Sequence, residues 1–213
     1  MRKITNAARG LNLRAARTNP AARGLPCLLL LSDPARLADP AVVLARLPRG
    51  AGVVLRDYES GSPASLRLSS ARALARSCRL RGLRLIVAGD ARFAIAAGAW
   101  GLHLPEWKVK QGARREHALA RRRGLAVTAA CHSLAALRRA EGLGADAVLL
   151  APVLPTRSHP GATVLGPLRF AALARASRLP VYALGGIDEA GAARILQSGA
   201  AGIAGIGFAT AGT

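Results

Sequence analysis

Aromatic side chains are scarce: three Phe, two Trp and two Tyr make up 3% of the 213 residues. That disfavours a nucleic-acid module built on base stacking, which needs aromatics interleaved with cations. Acidic residues are also few, 11 Asp and Glu against 31 Lys and Arg, and the formal net charge is +20. A field of that sign attracts nucleic acid, anionic lipid or phosphorylated metabolites without choosing among them. The arginines are spread over amphipathic segments such as Ala113–Arg123 and form no single stripe. Any association with nucleic acid is therefore expected to be independent of sequence, and no specific nucleic-acid partner is predicted. Cysteine is limited to Cys27, Cys78 and Cys131, an odd number with no C-x-x-C spacing. Neither a disulfide framework nor a zinc site is suggested, and a reducing cytoplasm fits. The longest early apolar run, Leu25–Leu31, falls far short of the roughly 20 residues a membrane-spanning helix requires.

Acid is absent altogether from the first 24 residues, which carry Arg2, Lys3, Arg9, Arg14, Arg17 and Arg23. They also lack serine, which weakens a transit-peptide reading. Residues 1–24 are expected to be a disordered basic tail, dispensable to the fold, which is assigned to residues 25–213.

What is abundant is aliphatic: 51% of the residues are hydrophobic, enough for one substantial core. Short runs rich in Val, Ile and Leu alternate with longer alanine-rich amphipathic runs, the mark of βαβ units on a parallel sheet. Strands are predicted over Cys27–Leu31, Gly52–Leu55, Leu83–Val87, Gly101–Leu104, Ala126–Ala129, Ala147–Leu150, Val181–Leu184 and Gly202–Ala204. Helical spacing is clearest over Pro63–Leu80, Leu134–Gly142, Leu168–Ser177 and Glu189–Ser198. Eight strands with helical crossovers predict a single-domain (β/α)8 barrel of the TIM type. An open doubly wound sheet is less consistent, since no G-x-G-x-x-G follows the first strand. The last helix is expected to be short.

In such a barrel the active site is built from loops that follow the strands. That filter retains Asp33, Arg56 with Asp57, Asp90, Glu106, Cys131 with His132, the loop Pro152–Gly161, Gly185-Gly186 and Gly205–Gly207. Glycines after strands seven and eight offer backbone N–H groups without side-chain obstruction, where barrels often cradle phosphate. The loop after strand six places Thr156 and Ser158 beside Arg157 and His159. Neutral hydroxyl donors next to cationic ones suit a phosphate or pyrophosphate oxygen. Cys131 and His132 are adjacent on one strand and face opposite sides, so they do not pair as nucleophile and base.

The segment Gly144-Ala145-Asp146 through Ala151-Pro152-Val153-Leu154-Pro155-Thr156-Arg157-Ser158, with Pro180-Val181-Tyr182-Ala183-Leu184-Gly185-Gly186-Ile187, resembles the matching region of the thiamine phosphate synthase/TenI family. Weaker likeness extends through Leu29–Asp33, Val54–Arg56, Gly98–Leu104 and Ser198–Phe208. The resemblance implies a transferase of thiamine biosynthesis that joins an aminopyrimidine pyrophosphate to a thiazole phosphate and expels pyrophosphate with Mg2+. Arg56 matches the family's pyrophosphate-holding arginine and is the catalytic candidate. Thr156 and Ser158 match its paired hydroxyls, with His159 beside them. Gly186, Ile206 and Gly207 match the thiazole-phosphate cradle, with glycine at 207 where the family commonly has serine.

Other positions depart from the pattern. The family's glutamine and lysine flanking the arginine are Val54 and Tyr58, its Asn-Asp pair falls on Ala88-Gly89, and a serine before the strand-five histidine is Ala130. Asp90 and Glu106 are the remaining candidates for metal ligands. A TenI-like or non-catalytic barrel that binds thiazole phosphate or thiamine phosphate is the alternative, although the histidine of the related tautomerase or hydrolase branch is Pro152 here.

Overall fold

Runs such as Leu28-Leu29-Leu30-Leu31 are buried throughout, so both faces of each strand must be covered. The computed structural model describes residues 1–33, 35–56, 62–156 and 161–210. Its strands are β1 (Leu28–Leu31), β2 (Gly52–Leu55), β3 (Arg84–Ala88), β4 (Gly101–Leu104), β5 (Ala126–Cys131), β6 (Ala147–Leu150), β7 (Val181–Leu184) and β8 (Gly202–Gly205). They pair in parallel in sequence order, and β8 closes on β1 through Leu28↔Ile203 and Leu29↔Ala204. The predicted (β/α)8 barrel is the fold.

The crossovers are α2 (Ala64–Leu80), α3 (Ala91–Ala96), α4 (Glu106–Lys110) with α5 (Arg114–Arg122), α6 (Leu134–Leu143), α7 (Gly166–Ala176) and α8 (Glu189–Arg194). A 3-10 segment, Pro40–Arg46, connects β1 to β2, and a short α9 (Gly207–Thr210) follows β8. Helix starts follow side-chain chemistry: Asp90, Ser133 and Asp188 each accept a backbone N–H of the first turn of α3, α6 and α8.

Closure sorts the strand residues by parity. The register Leu31↔Val54↔Ile86↔Gly101 and Ala88↔His103↔Thr128 places these side chains on the sheet face shared with Arg56, the barrel interior. The opposite parity is largely aliphatic: Leu30, Val53, Leu85, Val87, Leu102, Leu104, Val127 and Val148 are all buried and meet the helices. Cys131 is in that outward set, and burial, followed by the charges of Glu106 and Glu141, pushes its thiol up to about 12. A poised thiolate beside His132 is thereby excluded.

The expected disordered tail is instead helix α1 (Arg2–Thr18). Ile4, Ala8, Leu11 and Ala15 recur at helical spacing and are at most 5% exposed. The helix lies against β1, β8 and α8, where a barrel's eighth crossover helix would cover the sheet. Side chains lock it there: Asn12 donates to the carbonyls of Ala22 and Ala201 (3.3 and 3.0 Å), Arg14 to Leu196 O (2.8 Å) and Asn19 to Arg178 O (3.0 Å). The charge of this segment concealed its apolar stripe. Long arginine and lysine side chains point outward and leave the stripe free to pack.

No helix among the described residues is long and apolar enough to cross a membrane.

Candidate functional site

The retained candidates that lie among the described residues fall at the C-terminal ends of the strands, on one rim of the barrel. Running around that rim, β6, β7, β8, β1 and β2 are consecutive neighbours. They present Thr156, Gly186, Ile206 with Gly207, Asp33 and Arg56 in that order. Ser158 and His159 belong to the loop after β6 and lie outside the described residues, as do Arg157, Asp57 and Tyr58.

Arg56 is the most firmly held member. Its backbone N–H donates to Ser32 Oγ (2.7 Å), its Nε to Ser32 O (2.7 Å) and its Nη2 to Asp33 Oδ2 (3.2 Å). The two side-chain bonds to one neighbouring strand end remove most of the rotamer freedom an arginine normally keeps. The side chain remains 23% exposed, so a ligand in the mouth can reach it. Asp33 is equally constrained. Burial alone would raise its carboxyl, but the amides of Ala35 and Arg36 and the guanidiniums of Arg36 and Arg56 hold it below the ordinary carboxylate value.

The loops after β6 and β7 touch directly. Gly186 has φ +67°, and a Cβ there would run into the carbonyls of Leu154 and Pro155. Glycine is thus required twice, by the left-handed backbone and by the close approach. Gly207 is different: its φ is not positive and a Cβ would meet nothing within 4 Å. Ile206 is 6% exposed and closes the apolar side of this corner.

The arc from β3 to β5 is furnished differently. Ala88 and Ala130 are small where the resemblance places polar side chains, and Gly89 follows the end of β3. Asp90 points one oxygen back at its own helix, accepting Phe93 N–H at 2.7 Å. Glu106 pairs with Lys110 (2.8 Å). Burial would raise Glu106, but Lys110, His132 and the His132 amide hold it low. No three His, Cys, Asp or Glu side chains converge among the described residues. An octahedral magnesium site needs several oxygen ligands. Asp90 as a cap and Glu106 in an ion pair do not make one, so the described residues do not fit a protein-held metal.

One interior residue escaped the sequence reading, which confined itself to loops. His103 projects inward from β4, 3% exposed, with Nδ1 and Thr128 Oγ1 2.9 Å apart. Burial, with a further contribution from the Arg56 charge, pushes its pKa down to about 3. The signal was present as a lone titratable residue between Leu102 and Leu104 in an apolar strand. Neutral His103 is thus a hydrogen-bonded part of the barrel interior. Its depressed value makes stability fall as pH drops below the unfolded histidine value of about 6.5, because the unfolded chain then takes up the proton first. NMR of the imidazole should show no titration between about pH 5 and 9. A mid-range titration would place His103 in a wetter setting.

The thiamine monophosphate synthase family model matches residues 28–208. The chain is 38% identical over 164 residues to the thiamine-phosphate synthase of Thiobacillus denitrificans, covering 75% of this chain and 74% of that protein. It is 33% identical over 154 residues to the thiamine-phosphate synthase of Thioalkalivibrio sulfidiphilus, covering 71% of each. Among solved structures, a thiamine phosphate pyrophosphorylase from Pyrococcus furiosus superposes with a TM-score of 0.73 at 23% identity, covering 87% of both chains. That last likeness carries the fold alone.

Proposed function

This chain belongs to the thiamine monophosphate synthase family, and on that premise we propose that it joins an aminopyrimidine diphosphate to a thiazole phosphate, giving thiamine phosphate and diphosphate. The observation that supports this reading most directly is the immobilised Arg56 guanidinium at the rim. In the substitution, the bond from the pyrimidine methylene carbon to the diphosphate oxygen breaks. Negative charge accumulates on that oxygen while the thiazole nitrogen bonds to the carbon. A fixed cation beside the leaving oxygen stabilises the transition state more than the ground state and costs no reorganisation during the step.

The other roles follow the same arc. Thr156 is assigned to the diphosphate with Ser158 and His159 of its loop. Gly186, Ile206 and Gly207 are assigned to the thiazole phosphate, received by backbone N–H groups rather than side-chain charge. Since the described residues do not form a protein-held metal site, the magnesium expected of the family would be held chiefly by diphosphate oxygens, with Asp90 and Glu106 the carboxylates nearest in sequence to that role, and no step is routed through it. A cytoplasmic location is part of this reading. The synthase names of the relatives do not favour the TenI-like or non-catalytic alternative.

Incubating the purified protein with both substrates and magnesium, then measuring thiamine phosphate and diphosphate, tests the activity. Binding of thiazole phosphate without product would favour the non-catalytic barrel.

Gly207 permits a gain-of-function check. With open space around its Cβ, Gly207→Ser should be accommodated without loss of stability and should lower the KM for thiazole phosphate about tenfold, the worth of one added hydrogen bond to a charged group. An unchanged KM would remove residue 207 from the phosphate cradle.

A further inference from the structure

Asp33 does more than pair with Arg56. Its Oδ1 accepts the backbone N–H groups of Ala35 (3.1 Å) and Arg36 (3.2 Å), and its main chain exchanges two hydrogen bonds with Leu37 (3.0 and 2.8 Å). The loop after β1 is thereby closed on itself, with Arg36 at a defined point. The second carboxylate oxygen, Oδ2, is 3.2 Å from Arg56 Nη2 and 3.6 Å from Arg36 Nη2. Two guanidiniums from different strand ends thus converge on a single atom at the barrel mouth, with side chains 23% and 30% exposed.

We propose that Arg36 is a second diphosphate-binding residue of this site, and that Asp33 is the positioning residue that holds Arg36 and Arg56 as a paired clamp. The ligand class rests on the synthase reading above. Each guanidinium presents N–H donors in a planar fork; the shared carboxylate oxygen accepts one from Arg56 and stands in ion-pair range of Arg36. Groups that approach the same oxygen lie close enough for one phosphate to bridge them, and a diphosphate offers more acceptor oxygens than one arginine can meet. The loop also answers a deficit in the sequence. The lysine that the family resemblance expects two residues after Arg56 is Tyr58, and Arg36 brings a cation back to the same rim from the neighbouring strand.

The test uses inorganic diphosphate as the probe, titrated calorimetrically into the full chain, with turnover measured separately. Arg36→Ala should weaken diphosphate binding about tenfold, the scale of one lost charge-assisted contact, and Arg36→Lys should recover part of it. Asp33→Asn keeps the Oδ1 acceptor for the two amides and removes the charge. It should weaken diphosphate binding while leaving thiazole phosphate affinity and the melting temperature unchanged. In the Arg36→Ala background it should weaken binding by less than it does alone. Arg36→Ala with wild-type affinity would overturn the ligand role. Asp33→Asn with unchanged or tighter binding would overturn the positioning role, since Asp33 would then be only a competing anion. A wild type that binds diphosphate in this pattern but makes no thiamine phosphate would reject the synthase reading and leave the clamp standing. One that turns over without any dependence on Arg36 would do the reverse.

Discussion

Replacing Arg56 with alanine lowers turnover by roughly 10²-fold or more, the loss found when one preorganised donor to developing charge is removed. The guanidinium is the charged donor we assign to the leaving diphosphate, and its geometry is already set before substrate arrives by Ser32 O and Asp33. Thr156→Ala costs less, because a neutral hydroxyl makes a weaker bond to an anion than a guanidinium does. Fold and activity should separate in this experiment. The Arg56 side chain is partly exposed at the rim and is held by polar groups of Ser32 and Asp33, so the melting temperature should hold while kcat falls. Equal turnover by Arg56→Ala and wild type would remove Arg56 from the reaction.

Deleting residues 1–24 should abolish the stable fold or lower its melting temperature by on the order of 10 °C. For a chain of this size each kcal/mol is worth about 2–4 °C, and burial of a single leucine is worth about 2–5 kcal/mol when it is cut to alanine. The deletion removes Ile4, Ala8 and Leu11 from the main core and exposes the sheet that α1 covers at β1 and β8. It also leaves the Ala201 carbonyl without the Asn12 amide. A gentler version is Leu11→Ala, expected to cost about 2–5 kcal/mol in chemical denaturation. An unchanged midpoint in both experiments would return the segment to the status of a tail. The candidate rim is at the strand C-termini, whereas the Asn12 and Asn19 contacts reach residues that precede β8 and β7. Loss of activity in the deletion should therefore follow loss of fold.

The expectation of a disordered tail failed for an identifiable reason. Six cations in 24 residues dominated the reading, although Ile4, Ala8, Leu11 and Ala15 already formed an i, i+4, i+7, i+11 stripe. Whether such a stripe is buried depends on an uncovered surface elsewhere, and the uncovered surface was the seam between the first and last strands. The metal candidates show the same limitation. Asp90 occupies a plausible sequence position, but a carboxylate immediately before a helix has a nearer use as its cap.

Strand count, strand position and the closed α/β architecture were determined by the sequence itself, because apolar runs of strand length and helical spacing are local properties of the chain. Arg56, Thr156 and the glycines after strands seven and eight were legible for the same reason: each sits at a strand end, and the fold assigns strand ends to the site. Tertiary structure alone decided what these residues face. Pairing of β1 with β2 brought Asp33 and Arg36 to Arg56, pairing of β4 with β5 set His103 against Thr128 in the interior, and closure of β8 on β1 supplied the seam that α1 covers. Each of these depends on which groups from distant parts of the chain share one space. Hydrogen bonding, desolvation and packing respond to that proximity, and no local pattern encodes it.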